Sequence, residues 1–142
     1  MKRRAVQLLI LIAFAPVLGA ASSRAQEPPT KPAQASAEAW LSLIDNQNYA
    51  ASWETAASAF RSAITQEKWQ AAAQAARTPL GPMKVRELAS AKSTTTLPGA
   101  PDGEYVVFRF NTSFEQKAAA VETVTAVQEK DGTWHVGGYF IR

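Results

Sequence analysis

The chain has 142 residues, with 15 Lys and Arg against 12 Asp and Glu, a single His and no Cys. The lack of Cys excludes disulfides, thiolate metal sites, a cysteine nucleophile and a lipoprotein thiol, so the fold must hold by its core alone. The formal charge of +3 is an N-terminal effect: without Lys2, Arg3, Arg4 and Arg24, 11 basic residues face 12 acidic ones, a net of −1, and nucleic-acid binding loses its main driving term.

Met1 to Arg4 form a short basic stretch, and Ala5 to Ala15 an apolar run with one amide, Gln7. This is the layout of a cleavable secretory signal. A spanning helix needs about 20 apolar residues, and Pro16 with Gly19 interrupts the run first. Small residues at Ser23 and Ala25 favour cleavage after Ala25, with Ala21 as the alternative. The expected organisation is a signal peptide at 1–25, a Pro-rich linker at 26–35 and one α+β domain at 36–142. The expected location is periplasmic or secreted, by the general route rather than twin-arginine export, and with no stable membrane anchor after cleavage.

Three helices are expected next. Ser36 caps the first, whose Ala37, Trp40, Leu41 and Ile44 share one apolar face. Asn46 or Asn48 opens the second, with Tyr49, Trp53, Ala56 and Phe60 on a stripe. Thr65 caps the third, with Ile64 and Trp69 at the spacing of a hydrophobic staple. Pro79, Gly81 and Pro82 end it.

From Met83 the period becomes two. Strands are expected over Lys84–Leu97, with a bend or bulge midway, Glu104–Phe114, Lys117–Glu129 and Thr133–Ile141. Two-residue turns at Glu115-Gln116 and Asp131-Gly132 set Arg109 opposite Glu122, Phe110 opposite Val121, Val124 opposite Tyr139 and Val127 opposite Val136. One face then carries Val106, Phe108, Phe110, Val121, Thr123, Val127, Val136 and Phe140, and needs the helices over it. The other carries Tyr105, Val107, Arg109, Glu122, Val124, His135, Tyr139 and Ile141. It is too mixed for an open sheet face, so a homodimer through this second face is expected.

Helices followed by a curved four-stranded antiparallel meander resemble the cone of nuclear transport factor 2, ketosteroid isomerase and cystatin-like domains; such a likeness carries no function. A closer resemblance runs from about Ala37 to Arg142. It is carried by Ala39-Trp40-Leu41 with Asp45, Tyr49 with Ser52-Trp53, Phe60, Trp69, Arg77 with Pro79-Leu80-Gly81, and Arg86-Glu87-Leu88. Further along come Leu97 to Tyr105, Phe114 with Lys117, Glu122-Thr123-Val124, and Asp131-Gly132 with Trp134, Val136, Gly138-Tyr139 and Ile141. These residues resemble the exported bacterial family called domain of unknown function 4019. The resemblance implies no catalytic residues.

His135 reads as a solvated or hydrogen-bonded residue rather than a general base, and no Gly-x-Ser-x-Gly elbow presents a nucleophile. No cofactor or metal is expected, since one His without Cys would need clustered carboxylates. Arg109 with Glu122 reads as a cross-strand salt bridge, or else Glu122 beside Tyr105 and Tyr139 acts as an acid or base. Trp40, Tyr49, Trp53, Trp69 and Trp134 read as core rather than pocket lining. Arg77 and Arg86 flank the Pro-Leu-Gly turn, where they satisfy carbonyls, pair with acids or hold an anion. The ligand-binding candidates are thus Tyr105, Arg109, Glu122, Tyr139, Arg77 and Arg86. The leading expectation is a non-catalytic module binding a protein or small ligand; the alternative is a small isomerase-like or hydrolase-like enzyme.

Overall fold

The computed structural model describes residues 30–142, in which four α-helices and a 3-10 turn precede a four-stranded antiparallel sheet. The signal segment and its cleavage sites lie outside the described residues. The architecture is α+β.

Helix α1 spans Thr30–Asp45 and buries Ala33, Ala37, Trp40, Leu41 and Ile44 on one stripe. It starts six residues before the expected cap at Ser36, so most of the expected linker is helix. Pro32 sits in the first turn, where its missing N–H costs nothing, and Ala33 is fully buried. Ser36 instead donates its hydroxyl to the Trp134 carbonyl at 2.7 Å, tying the helix to the last strand.

The expected second helix is broken in two: α2 spans Tyr49–Glu54 and α3 spans Ser58–Ala63. Long-range hydrogen bonds outcompete the helical ladder between them. The Ala57 N–H donates to the Val136 carbonyl at 2.8 Å. Glu129 accepts from the Ser58 N–H and hydroxyl at 2.6 and 3.0 Å, which starts α3 afresh. Helix α4, Gln66–Arg77, begins at the expected cap, where the Thr65 hydroxyl accepts from Lys68 N. A 3-10 turn over Thr78–Leu80 and Gly81 at φ 73° then lead into the sheet.

The strands are β1 Met83–Thr94, β2 Tyr105–Phe114, β3 Lys117–Gln128 and β4 Trp134–Ile141, in the order β1-β2-β3-β4. β1 carries the expected midway irregularity, with Ala89 left out of the pairing between Leu88 and Ser90. The register elsewhere departs from expectation. Phe114 pairs with Lys117 across the two-residue turn, but Ala118 and Ala119 together then stand against Ser113. That bulge slips β3 by one residue, so Glu122 faces Phe110 and Arg109 faces Thr123.

A one-residue slip exchanges the faces of a strand. Ala120, Glu122, Val124 and Ala126 therefore turn to the helices, while Val121 and Thr123 turn outward. The second hairpin is closed by three residues, with Glu129 N–H donating to Thr133 O at 2.8 Å and Gly132 at φ 85°. Val127 thus faces His135 rather than Val136, and Val136 faces Ala126. An extra residue at Gly137 then restores the expected Val124 with Tyr139 pairing, placing Tyr139 among the core contacts and Phe140 outside.

The core lies between α1, α4 and the inner face, where Trp40, Leu41, Ile44, Trp69 and Ala73 meet Val106, Phe108, Phe110, Val124, Ala126 and Val136. Each large aliphatic or aromatic side chain buried here contributes about 1.5–3 kcal/mol. The tryptophans are structural, as expected. Trp40 and Trp69 both donate to Ser52, to its carbonyl at 2.8 Å and its hydroxyl at 2.9 Å, and their rings lie 5.8 Å apart.

Candidate functional site: a buried charge network

Every helix end and strand needed for one polar cluster converges beneath α1. Asp45 is the last residue of α1, Arg77 the last of α4, Arg86 lies on β1, Thr112 on β2, Glu122 on β3 and Tyr139 on β4. Arg86 is held at both ends of its guanidinium. Nη1 and Nη2 donate to Asp45 at 2.7 and 2.9 Å, while Nε and Nη2 donate to Glu122 at 2.7 and 3.2 Å.

Glu122 is 0 % exposed. Besides Arg86 it accepts from the Thr112 hydroxyl at 2.6 Å and from the Tyr139 hydroxyl. Four donor contacts therefore fall on one carboxylate. A buried charge persists only when paired and hydrogen-bonded in this way. With Arg77 and Asp45 included, two cations balance two anions.

Burial alone would lower the Arg86 pKa, but hydrogen bonds and charge from Asp45 and Glu122 outweigh it and leave the guanidinium more firmly protonated than a free one. Burial, then the charge of Glu122 and the hydrogen bond to it, push the Tyr139 hydroxyl up, so it stays protonated and donating.

Arg77 is less well served. Only 6 % exposed, it donates from Nη2 to Asp45 at 3.0 Å and lies over the Phe114 ring at 4.7 Å. Its Nε and Nη1 are buried without a hydrogen-bond partner.

Four of the six sequence-derived candidates, Arg77, Arg86, Glu122 and Tyr139, thus meet in one cluster. The other two do not. Tyr105 pairs with Val127, five positions along β3 from Glu122, or about 17 Å at strand rise, and its hydroxyl donates to Pro101 O at 2.6 Å. Arg109 is exposed on the outer face opposite Thr123. The expected Arg109–Glu122 salt bridge is replaced by Arg86–Glu122, because the β3 slip puts the carboxylate on the inner side.

His135 has the expected hydrogen-bonded role, with Nδ1 3.0 Å from Thr55 O and Nε2 2.8 Å from Thr133 Oγ1. Sequence reasoning missed Asp45 and Thr112 as members of the cluster. Asp45 follows Leu41 by four residues, so an acid stood on the apolar face of α1; that was the available signal.

The outer sheet face is open. Val85, Val121 and Phe140 are 54, 37 and 54 % exposed. Val85 and Val121 line a shallow concavity of about 530 Å³ with Ala118 and Ala119, and it is rimmed by Glu87 from β1 and Arg142 just beyond β4.

The profile of the family described as "Protein of unknown function (DUF4019)" matches residues 36–139. The chain belongs to that family, as the motif resemblance implied. No curated protein and no solved structure matches the chain, and the comparison with the cone-shaped folds rests on element order alone.

Proposed function

We propose that this protein is an exported domain that acts by association rather than turnover, and that a second copy of the chain docks on its outer sheet face. The observation that carries the reading is that face itself. Exposed Val85, Val121 and Phe140 surround one end of the sheet, and the rim charges are of opposite sign on opposite lateral edges.

A twofold axis parallel to the strands, in the plane between two facing sheets, sets β1 of one copy against β4 of the other. Arg142 then meets Glu87 of the partner subunit, and Glu87 meets the partner's Arg142, while the apolar patches face each other. This is the self-complementarity that a twofold interface requires. The slipped register supports the same reading for a reason different from the one the sequence suggested: the apolar residues outside are Val121 and Phe140, not Val124 and Tyr139.

Catalysis by Glu122 with Tyr105 and Tyr139 loses its footing. A general base needs an open position beside the proton it takes, whereas Glu122 is sealed and saturated with donors, and Tyr105 is remote. Export rests on the basic and apolar N-terminal segment of the sequence.

The test is sedimentation velocity on residues 26–142. A dimer at tens of micromolar that Val121→Lys converts to a folded monomer is the expected result. A monomer for the unmutated chain overturns the docking.

A further inference from the structure

We infer that Phe140 and Gly138 on β4, seated against Ser90 and Lys92 on β1 of a second copy, are the residues by which one copy of this chain recognises another. The inference rests on the outer-face docking above and supplies its packing.

Strand pairing arranges the outer face in rows across the sheet. Glu87 pairs with Asn111, Asn111 with Val121, and Val121 with Arg142. The next row runs Ser90, Arg109, Thr123, Phe140, and the one after it Lys92, Val107, Thr125, Gly138. The bulge at Ala89 is what keeps Glu87 and Ser90 on the same face. A twofold rotation leaves heights along its axis unchanged. With the axis parallel to the strands, each row therefore meets the same row of the partner in reverse. First faces fourth and second faces third, with no register left to adjust.

What this symmetry imposes is a fit of large against small. The Phe140 ring, 54 % exposed, comes over the partner's Ser90, and Arg109 comes over the partner's Thr123. Ser90 lies in a hollow of about 520 Å³ that Lys92, Leu97, Pro98, Val107 and Arg109 also line, which is the seat for the ring. Arg142 already lies 5.6 Å over the Phe140 ring of its own chain. Arg109 makes no ion pair with any described residue, and in the complex it brings a second guanidinium beside the ring.

Gly138 gives an independent sign. Its φ is not positive, and a Cβ there would touch only Thr125, at an ordinary 3.6 Å, so nothing within the chain requires glycine. Glycine weakens a strand and often marks a place where another molecule comes close. Its opposite number across the twofold is the partner's Lys92, whose long stem needs that space. A flat partner would fill neither the seat at Ser90 nor the gap over Gly138, so the surface selects another copy of this chain.

The experiment measures self-association of residues 26–142 by sedimentation velocity over a concentration series. Phe140→Ser removes the ring and Ser90→Phe fills the seat; each alone should weaken the dimer by about tenfold or more. The two together move the ring to β1 and the gap to β4, and the same twofold brings them back into contact. Affinity should then return to within about threefold of the unmutated chain. Gly138→Val should weaken the dimer about tenfold at an unchanged urea midpoint, since it adds bulk only between copies. A dimer indifferent to Phe140→Ser, or a double variant no tighter than the singles, overturns the inference and leaves the outer-face docking standing. So does a Gly138→Val dimer of unchanged affinity; if that variant lowers the urea midpoint, the ring swap decides alone. A monomer for the unmutated chain overturns the docking and this inference with it.

Discussion

Arg86 on the edge strand grips Glu122 two strands away, through Nε at 2.7 Å and Nη2 at 3.2 Å. The pair spans β2, whose Thr112 contributes a third donor to the same carboxylate. It also reaches up to α1 through Asp45, so one guanidinium ties the sheet to the helix layer.

Glu122→Gln should destabilise the domain by about 3 kcal/mol or more, since it leaves two buried cations with one anion. Urea unfolding monitored by tryptophan fluorescence measures this. A loss below about 1 kcal/mol would mean that the network does not carry its charge in the folded state. The sequence set Glu122 on the mixed second face opposite Arg109, whereas the slipped register buries it on the inner face.

Tyr139 provides a pH signature. Its hydroxyl has an ordinary pKa of 10.0 and is raised in the fold, first by burial and then by Glu122. Above pH 10.0 the unfolded chain releases this proton while the folded chain keeps it, so the stability Tyr139 contributes is full below that pH and declines as pH rises. Unfolding free energy should therefore fall above pH 10, and Tyr139→Phe should remove part of that slope. Parallel pH profiles for the two proteins would contradict the assignment.

Gly81 orients both arginines, because it turns the chain from α4, which ends in Arg77, toward β1, which carries Arg86. It has φ 73°, and an added Cβ would lie 3.3 Å from the Cβ of Glu115. Gly81→Ala should cost about 1–2 kcal/mol in chemical unfolding. A neutral substitution would show that the turn relaxes without strain.

The β4 bulge predicts a second glycine effect. A Cβ at Gly137 would meet Val127 Cγ1 at 3.3 Å and Ala57 Cβ at 3.8 Å, where the α2–α3 break docks on the strand. Gly137→Val should destabilise by about 1–3 kcal/mol through overpacking, read as a lower urea midpoint. Unchanged stability would put the docking of Ala57 in doubt.

These positions also separate what was legible in the sequence from what was not. The stripe Ala37, Trp40, Leu41 and Ile44, the Thr65 cap and the four strands were readable because each is a local pattern of period or capping. The break between α2 and α3 was not, since it depends on Glu129 and Val136, more than 70 residues away from the residues they bind. The two bulges were hidden for a related reason. Ala118-Ala119 and Gly137 are small residues that fit a regular strand as well as a bulge, and the gain that selects the bulge is the burial of Val124, Ala126 and Tyr139 and the pairing of Glu122 with Arg86. Of the candidate site, the two arginines, Glu122 and Tyr139 stood out in the sequence, whereas the pairing of Glu122 with Arg86 emerged only once the β3 register was known, and Asp45 was overlooked on the apolar face of α1.

The central claim, association through the outer sheet face, is tested most directly by sedimentation velocity of residues 26–142 beside Val121→Lys and a charge-swapped pair, Glu87→Arg with Arg142→Glu. The expected result is a dimer for the unmutated chain, a monomer for Val121→Lys, and a dimer for the double swap but not for either single swap. A monomer for the unmutated chain, or a dimer that tolerates Val121→Lys, would contradict it.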